Sequence, residues 1–391
     1  MRYKLAPRAA SAAILLAGTV AVCASIGASS SYAATSARSV HSKAVSASGA
    51  SASYLAPYQA ALAAATAPVK WQGPTTPALA PKHLLVGAVN CSYVEQGCKS
   101  GGEAFAAASQ ALGWTDKSIV VDQPSGYAQA FQTLLNEGVK AIYLGGVEEQ
   151  LIPDQIKEAQ AKHIPVVSEG SNYLVGGAGE VTMDVHAPVA DEGKLMADAA
   201  IVQHSGNVDA LLLQDAEFSE PVAVLKAVKA QFATCSKCHI TYANPINFTT
   251  AIVQSGLPGD VVTAIQSNPS INSIMLGFDP PATFIVPALD SAGDQSKVSM
   301  YSQLGDSAPL AYVAKNNILK IDVASSVTWG TWGDVDEIIR YIDHKPLVNE
   351  NLPLQVFSSS DPSAISKLGT NNFAATFTDY IQKYEKLWGV K

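Results

Sequence analysis

The 391-residue sequence predicts an α/β protein of two doubly wound lobes joined by a hinge of several chain crossings. Three observations carry that expectation. Short apolar runs alternate with helix-like runs of about twelve residues or more, which requires parallel βαβ crossovers. The alternation occurs twice, from Lys82 to Glu169 and again from Val208 onward, with a looser stretch between. The chain is 48% hydrophobic and 15% charged, a globular composition in a length that suits two cores.

In the first series Leu84 to Val89 is a strand that gives way to a polar loop at Asn90. Ala104, Phe105, Ala108, Ala111 and Leu112 recur at helical spacing and form one buried face. Ile119 to Asp122 is the next strand. A helix follows with Tyr127, Ala130, Phe131, Leu134 and Leu135 inward, ended by Gly138. Ala141 to Gly146 is a strand, Pro153 fits the first turn of the third helix, and Ile164 to Glu169 is a strand again. Val181 to Asp184 leads out of the lobe.

A helix over Val189 to His204 opens the second series. Val208 to Asp215 is a strand, Glu220 to Phe232 a helix with Ser219 as its expected cap, and His239 to Ala243 a strand. Phe248 to Ser267 is expected to be mostly helical, broken at Gly256 to Gly259. Ser273 to Leu276 and Lys297 to Tyr301 are strands around a helix at Ala282 to Ala292. Further elements are a helix at Ala308 to Asn316, a strand at Leu319 to Val323, a helix at Trp329 to His344, a strand at Leu354 to Phe357 and a helix at Phe373 to Trp388. The expected division is 82–185 plus 326–352 for the first lobe and 186–325 plus 353–391 for the second.

Met1 to Ala33 reads as an export signal: Arg2, Lys4 and Arg8 precede a small apolar run, and Ser31-Tyr32-Ala33 fits a cleavage site. Anchoring as a lipoprotein through Cys23 and release after Ala33 both stay open. Ala34 to Pro81, rich in Ala, Ser and Pro, is expected to be a tether, with a short helix at Tyr54 to Ala65. The net charge of −8 and pI of about 5.4 argue against nucleic acid and offer no basic patch for an anionic membrane. Beyond the signal four cysteines remain, Cys91, Cys98, Cys235 and Cys238, an even number that suits two disulfides in an exported chain. Local pairing, Cys91 with Cys98 and Cys235 with Cys238, is the simplest of three connectivities.

No nucleophile elbow, phosphate loop or paired metal-ligand spacing occurs, so no catalytic residue, metal or cofactor is expected. Cys235-Ser236-Lys237-Cys238 follows a helix instead of opening one. That favours a structural bridge over redox chemistry, which needs a helix dipole to lower a thiol pKa. Binding remains. The strand ends gather Asn90, Tyr93, Glu148, Ser168, Glu169, Ser171, Asn172, Asp215, Phe218, Asn244, Phe278, Asp279 and Gln303, aromatic faces beside carboxylates and amides. Such a set suits a small polar or aromatic molecule. Asp215 and Asp279 are equally placed to cap helices, and Phe218 and Phe278 to fill the core. Trp329 and Trp332 are expected to pack at the hinge, which Asp184 and His186 also border.

Leu84 to Val89 with Leu112-Gly113-Trp114, Gly138-Val139-Lys140-Ala141-Ile142-Tyr143-Leu144, Ala161-Lys162-His163-Ile164-Pro165-Val166-Val167, and Asp184 before the Gly193 helix together resemble a type I periplasmic binding protein. The resemblance is to the ribose/galactose-type substrate-binding subunits of ABC importers and covers Lys82 to Phe357. Trp71-Gln72-Gly73-Pro74 and the Cys235/Cys238 pair are similar to an exported actinobacterial branch. The resemblance implies a two-lobe fold, a carbohydrate-like ligand in the interlobe cleft, an ABC permease as partner, and a monomer. It equally implies a ligand sensor for a membrane kinase or chemoreceptor; a secreted enzyme fits less well. The family's sugar residues transfer poorly. Its Asn-Pro-Phe-Phe loop is Asn90 to Cys98 here, and its Asp-Arg falls at Gly170-Ser171. The clamping Arg falls near Val222. Its Asn-Asp becomes Phe278-Asp279, its Gly-Phe-Asp becomes Tyr301-Ser302-Gln303, and its crossing Gln becomes Ser325. Asp279 alone is retained, and without the Arg fork bidentate recognition of hydroxyls is lost.

Overall fold

A computed structural model describes residues 47–169, 175–240, 245–348, 350–360, 362–366 and 379–390. The export signal at 1–33 with Cys23, and Ser171, Asn172 and Asn244, lie outside the described residues. From Ala47 onward the chain forms one compact unit.

Helix α1 (Ala47–Ala65) comes first. Then β1 (Leu85–Asn90), α2 (Gln96–Ala111), β2 (Thr115–Val120), α3 (Tyr127–Glu137), β3 (Ile142–Gly145), α4 (Pro153–Ala161), β4 (Val166–Glu169) and β5 (Met183–Asp184) build the first lobe. Its five strands are all parallel, in the order β2-β1-β3-β4-β5. Successive strand residues face opposite sides. Tyr143 and Val167 therefore enter one core layer with Phe105 and Trp332, while Ile142, Leu144 and Val166 enter the other with Phe131 and Ile156. Gly138 ends α3 in the left-handed conformation, φ 78°, as its position at the end of the apolar periodicity predicts.

The second lobe follows with α5 (Val189–Gln203), β6 (Asp209–Asp215), α6 (Ser219–Phe232), β7 (His239–Ile240), β8 (Ile246–Phe248), α7 (Leu257–Ser267), β9 (Ser273–Leu276), α8 (Ala282–Ala292), β10 (Ser299–Leu304), α9 (Ser307–Ala314) and β11 (Leu319–Ala324). The chain then returns to the first lobe in α10 (Val327–Ile342) and comes back as β12 (Gln355–Ser358), followed by α11 (Pro362–Ser366) and α12 (Tyr380–Leu387). The sheet order is β12-β11-β10-β9-β6-β7, with β8 also on β6 and β12 antiparallel to β11. Leu211 and Leu213 face one core layer, Ala210 and Leu212 the other. The lobes are thus joined where β5 leads to α5, β11 to α10, and α10 to β12.

Three local expectations are corrected. Phe248 belongs to β8, and residues 250–256 are turns, so the helix begins only at Leu257, where Pro258 fixes the first-turn backbone. Ser219 lies inside α6; Phe218 is the cap position. Residues 47–81, expected as a tether, are packed: Leu55 and Tyr58 of α1 are buried in the second lobe, and Trp71 stacks on Trp329 at 5.4 Å. Trp114 Nε1 donates to the Pro81 carbonyl at 2.7 Å. The helix expected at Tyr54 to Ala65 is present and longer, Ala47–Ala65, and Leu55, Tyr58 and Leu62 share its one apolar face.

The end of the chain differs in the same way. Helix α12 packs on α10 of the first lobe, because Tyr380, Tyr384 and Trp388 make an i, i+4, i+8 aromatic stripe. Tyr380 stacks on Trp329 at 5.8 Å and Trp388 on Trp332 at 5.2 Å. Trp329 and Trp332 accordingly sit buried at the hinge.

Candidate ligand cleft

Parallel strands deliver their carboxyl ends to one edge of each sheet, and the two edges face each other. From the first lobe come the loop after β1 at Cys91 to Cys98, Gly146 after β3, and Glu169 at the end of β4. From the second come Phe218 and Glu220 at the start of α6, Phe278 and Pro280 after β9, and Leu304 at the end of β10. Val327, the first residue of α10, closes the hinge side. The space enclosed is about 560 Å³, counting what is open to solvent.

The loop after β1 is folded back by the Cys91–Cys98 disulfide, whose Cα atoms are 5.6 Å apart. Gly146 makes that seat possible. It has φ 62°, and a Cβ there would collide with Cys91 Sγ and reach Cys98 Sγ at 3.1 Å. Leu304 also holds a positive φ, 111°, unusual for a branched side chain at the rim of a site. Phe218 and Phe278 meet edge to face at 6.2 Å. Cys235 and Cys238, 5.4 Å apart at Cα, form the other bridge, at the end of α6 beside β7.

The cleft is acidic. Glu95 is raised to about 7 by burial and by Glu217. Glu220 is raised to about 7 by burial, with His186 opposing and Asp184 and Glu148 adding. Glu169 is pushed well above the carboxylate range by burial, then by Glu220, Asp184 and Glu192. His186 Nδ1 lies 2.9 Å from Asp184 Oδ2. Burial works against its charge, but the Asp184 carboxylate prevails and its pKa rises. One contact ties the lobes directly: Glu148 Oε1 accepts from the Ser219 backbone N–H at 2.8 Å and from its hydroxyl at 3.1 Å.

Of the residues read from sequence, Glu169, Phe218 and Phe278 border the cleft. Glu148 clamps the lobes. Gln303 donates to Glu220 Oε1 at 3.2 Å and to the Gly277 carbonyl at 2.9 Å, so it positions a cleft carboxylate. Asp279 is fully buried and accepts from the Gly305 and Asp306 N–H groups at 3.0 and 2.6 Å; it braces the loop after β10. Asp215 accepts from the Glu217 N–H at 2.9 Å and shapes its own turn. Ser168 donates to Asp184 at 3.2 Å. Asn90 is buried behind the cleft, Tyr93 packs within the first lobe, and Ser325 is buried at the hinge crossing. Glu95, Glu220, Leu304 and Val327 border the cleft but were not singled out in the sequence. Glu95 lies inside the disulfide loop and Glu220 in the first turn of a helix after a strand, signals that could have flagged both.

No family model matches the sequence, and no curated protein matches it. Solved structures do match in fold. An ABC transporter solute-binding protein from Agrobacterium vitis with bound allitol is 18% identical, TM-score 0.64, over 73% of this chain and 99% of that one. The periplasmic binding protein of the arabinose ABC transporter from Shewanella sp. ANA-3, bound to L-arabinofuranose, is 18% identical with TM-score 0.63, over 78% and 97%. A carbohydrate transporter protein from Acidothermus cellulolyticus in complex with myo-inositol is 17% identical with TM-score 0.63, over 74% and 98%. This chain therefore has the two-lobe fold of the type I periplasmic binding proteins.

Proposed function

We propose that the protein is an exported solute-binding protein of an ABC uptake system, which captures a small molecule between its lobes and presents the closed form to a permease. The carrying observation is the cleft itself: carboxyl ends of two parallel sheets converge on one chamber, and the Ser219–Glu148 contact draws the lobes together. The fold shared with solute-binding proteins that hold allitol, arabinofuranose and myo-inositol supports the reading. Binding of this kind asks for enclosure and fixed polar groups and needs no nucleophile. The proposed function uses the three crossings between lobes as hinges, with α10 and its aromatic packing as the rigid side.

The test is a thermal-shift screen of the purified protein against sugars, polyols, amines, aromatic acids and nucleosides. A ligand at a hundred times its dissociation constant adds about 2.7 kcal/mol of apparent stability. Small-angle scattering with that ligand is expected to show a smaller radius of gyration. A folded protein that gives no shift with any class, or that turns a bound compound over, sinks the reading.

A further inference from the structure

Among the described residues thirteen border the cleft, and of these Glu95, Glu169 and Glu220 are the polar side chains; the rest are glycine, proline, phenylalanine, leucine, valine and the Cys91–Cys98 bridge. An ionised carboxylate only accepts hydrogen bonds. A polyol carries a donor and an acceptor on every hydroxyl, and its oxygens need donors from the protein. The only side-chain donors in the described lining are carboxyl protons, which Glu169, Glu95 and Glu220 carry wholly or in part near neutral pH. Glu95 adds an independent sign. It is 6% exposed, and its Oε2 has no protein partner. A buried acceptor left open at the wall of a chamber is costly unless something fills the place of a donor.

We infer that the cleft takes a cationic organic solute, an ammonium group on an apolar body, in place of a neutral polyol. The inference rests on the solute-binding reading above and names its ligand class. An ammonium brings donors and a positive charge, the complement of acids that give up their protons to it. Phe218 and Phe278 bring aromatic rings to the cleft wall, and aromatic rings attract cations within about 6 Å. Pro221, Pro280, Leu304 and Val327 supply apolar contact for the body of the molecule. Glu148, Glu217 and Asp184 add negative charge around Glu95 and Glu220. The basic group acting on this set is His186, already drawn to Asp184. Burial lifts Glu95 and Glu220 to about 7, so each is partly protonated near neutral pH. A bound cation favours the ionised forms and so expels protons.

The experiment is titration calorimetry of the full folded protein at pH 7 and low salt with matched probes. 3,3-Dimethylbutan-1-amine is paired with 3,3-dimethylbutan-1-ol, its uncharged counterpart, and 1,4-diaminobutane with 1,4-butanediol; allitol and myo-inositol are the neutral polyols. At least one cation is expected to bind about tenfold or more tighter than its uncharged partner. Repeating it in buffers of different ionisation enthalpy is expected to show proton release. Glu95→Gln and Glu220→Gln, near-isosteric changes checked by circular dichroism, are each expected to weaken that cation about tenfold. Neutral partners or polyols that bind as tightly as the cations, or cation binding undiminished in both variants, overturn the cationic ligand and leave solute binding standing. A blank with every probe, together with a blank in the broader screen, removes both.

Discussion

Helix α10 begins at the cleft and runs into a second group of buried acids, and the two groups differ in whether the fold brings them a cation. At the far end, Asp336 accepts from Arg340 Nε at 2.5 Å and from Trp388 Nε1 at 2.7 Å. Glu337 accepts from the Val348 N–H at 3.0 and 3.1 Å, and Glu350 from the Tyr384 hydroxyl at 2.6 Å. These three carboxylates stand close enough together to hold a metal ion, but Arg340 supplies the positive charge from within the protein. At the cleft, Glu95 keeps an oxygen without a partner and Glu220 is held by Gln303 at 3.2 Å. Burial raises carboxylate pKa values in both places, so burial alone does not mark a site. Glu350 Oε1 is itself without a partner, so an open oxygen does not mark one either. A cation separates the two groups: Arg340 stands among the hinge acids, whereas the described cleft lining holds no basic side chain.

The largest expected effect tests the structural half of that contrast. Arg340→Ala leaves Asp336 and Glu337 without their internal cation and severs two bonds to Thr76. A loss of about 3–5 kcal/mol in urea denaturation is expected. An unchanged midpoint would mean that the hinge acids are no better partnered than those of the cleft.

The second prediction is the pH dependence of the ligand-free protein. Glu95 and Glu220 are raised from 4.5 to about 7, and Glu337 and Glu350 from 4.5 to about 8. A raised folded-state pKa gives stability that is full below the unfolded value and is lost as pH rises through the folded one. Thermal stability is therefore expected to fall between pH 5 and pH 9, with Glu95 contributing on the order of 3 kcal/mol. Glu95→Gln should make the decline shallower below pH 7 and leave the part near pH 8, to which Glu337, Glu350 and Asp306 contribute. A uniform flattening would show that the two clusters titrate as one.

The smallest effect sharpens how the cleft is held shut. Ser219→Ala removes the hydroxyl contact to Glu148 but keeps the 2.8 Å backbone one. A cost of about 1 kcal/mol is expected, read as a larger radius of gyration without ligand and an unchanged one with it. No change in either state would assign closure to the other contacts across the cleft.

The alternation of strands and helices was legible because its signals are local. Leu211 and Leu213 against Ala210 and Leu212 announce a strand buried on both faces, and Gly138 announces a helix end. In the segment at 47–81 the helix was legible over Tyr54 to Ala65, but its packing was not. The anchor, Trp71 on Trp329, spans most of the chain. The cleft was read in part. Glu169, Phe218 and Phe278 stand where strand ends place them, whereas Asp279 and Gln303, equally polar and equally near strand ends, turn inward to brace their neighbours.

By itself the sequence determined two α/β series, the chain crossings between them and the edge on which a site would form, since periodicity and turn residues act over a few positions. The tertiary structure decided which acids gather around an internal cation and which line the chamber. Arg340 and Asp336 are four apart on α10, a pairing the sequence could show. The other donors come from wherever the fold brings them: Ser219 to Glu148 across 71 positions, Trp388 to Asp336 across 52. No local pattern contains those contacts.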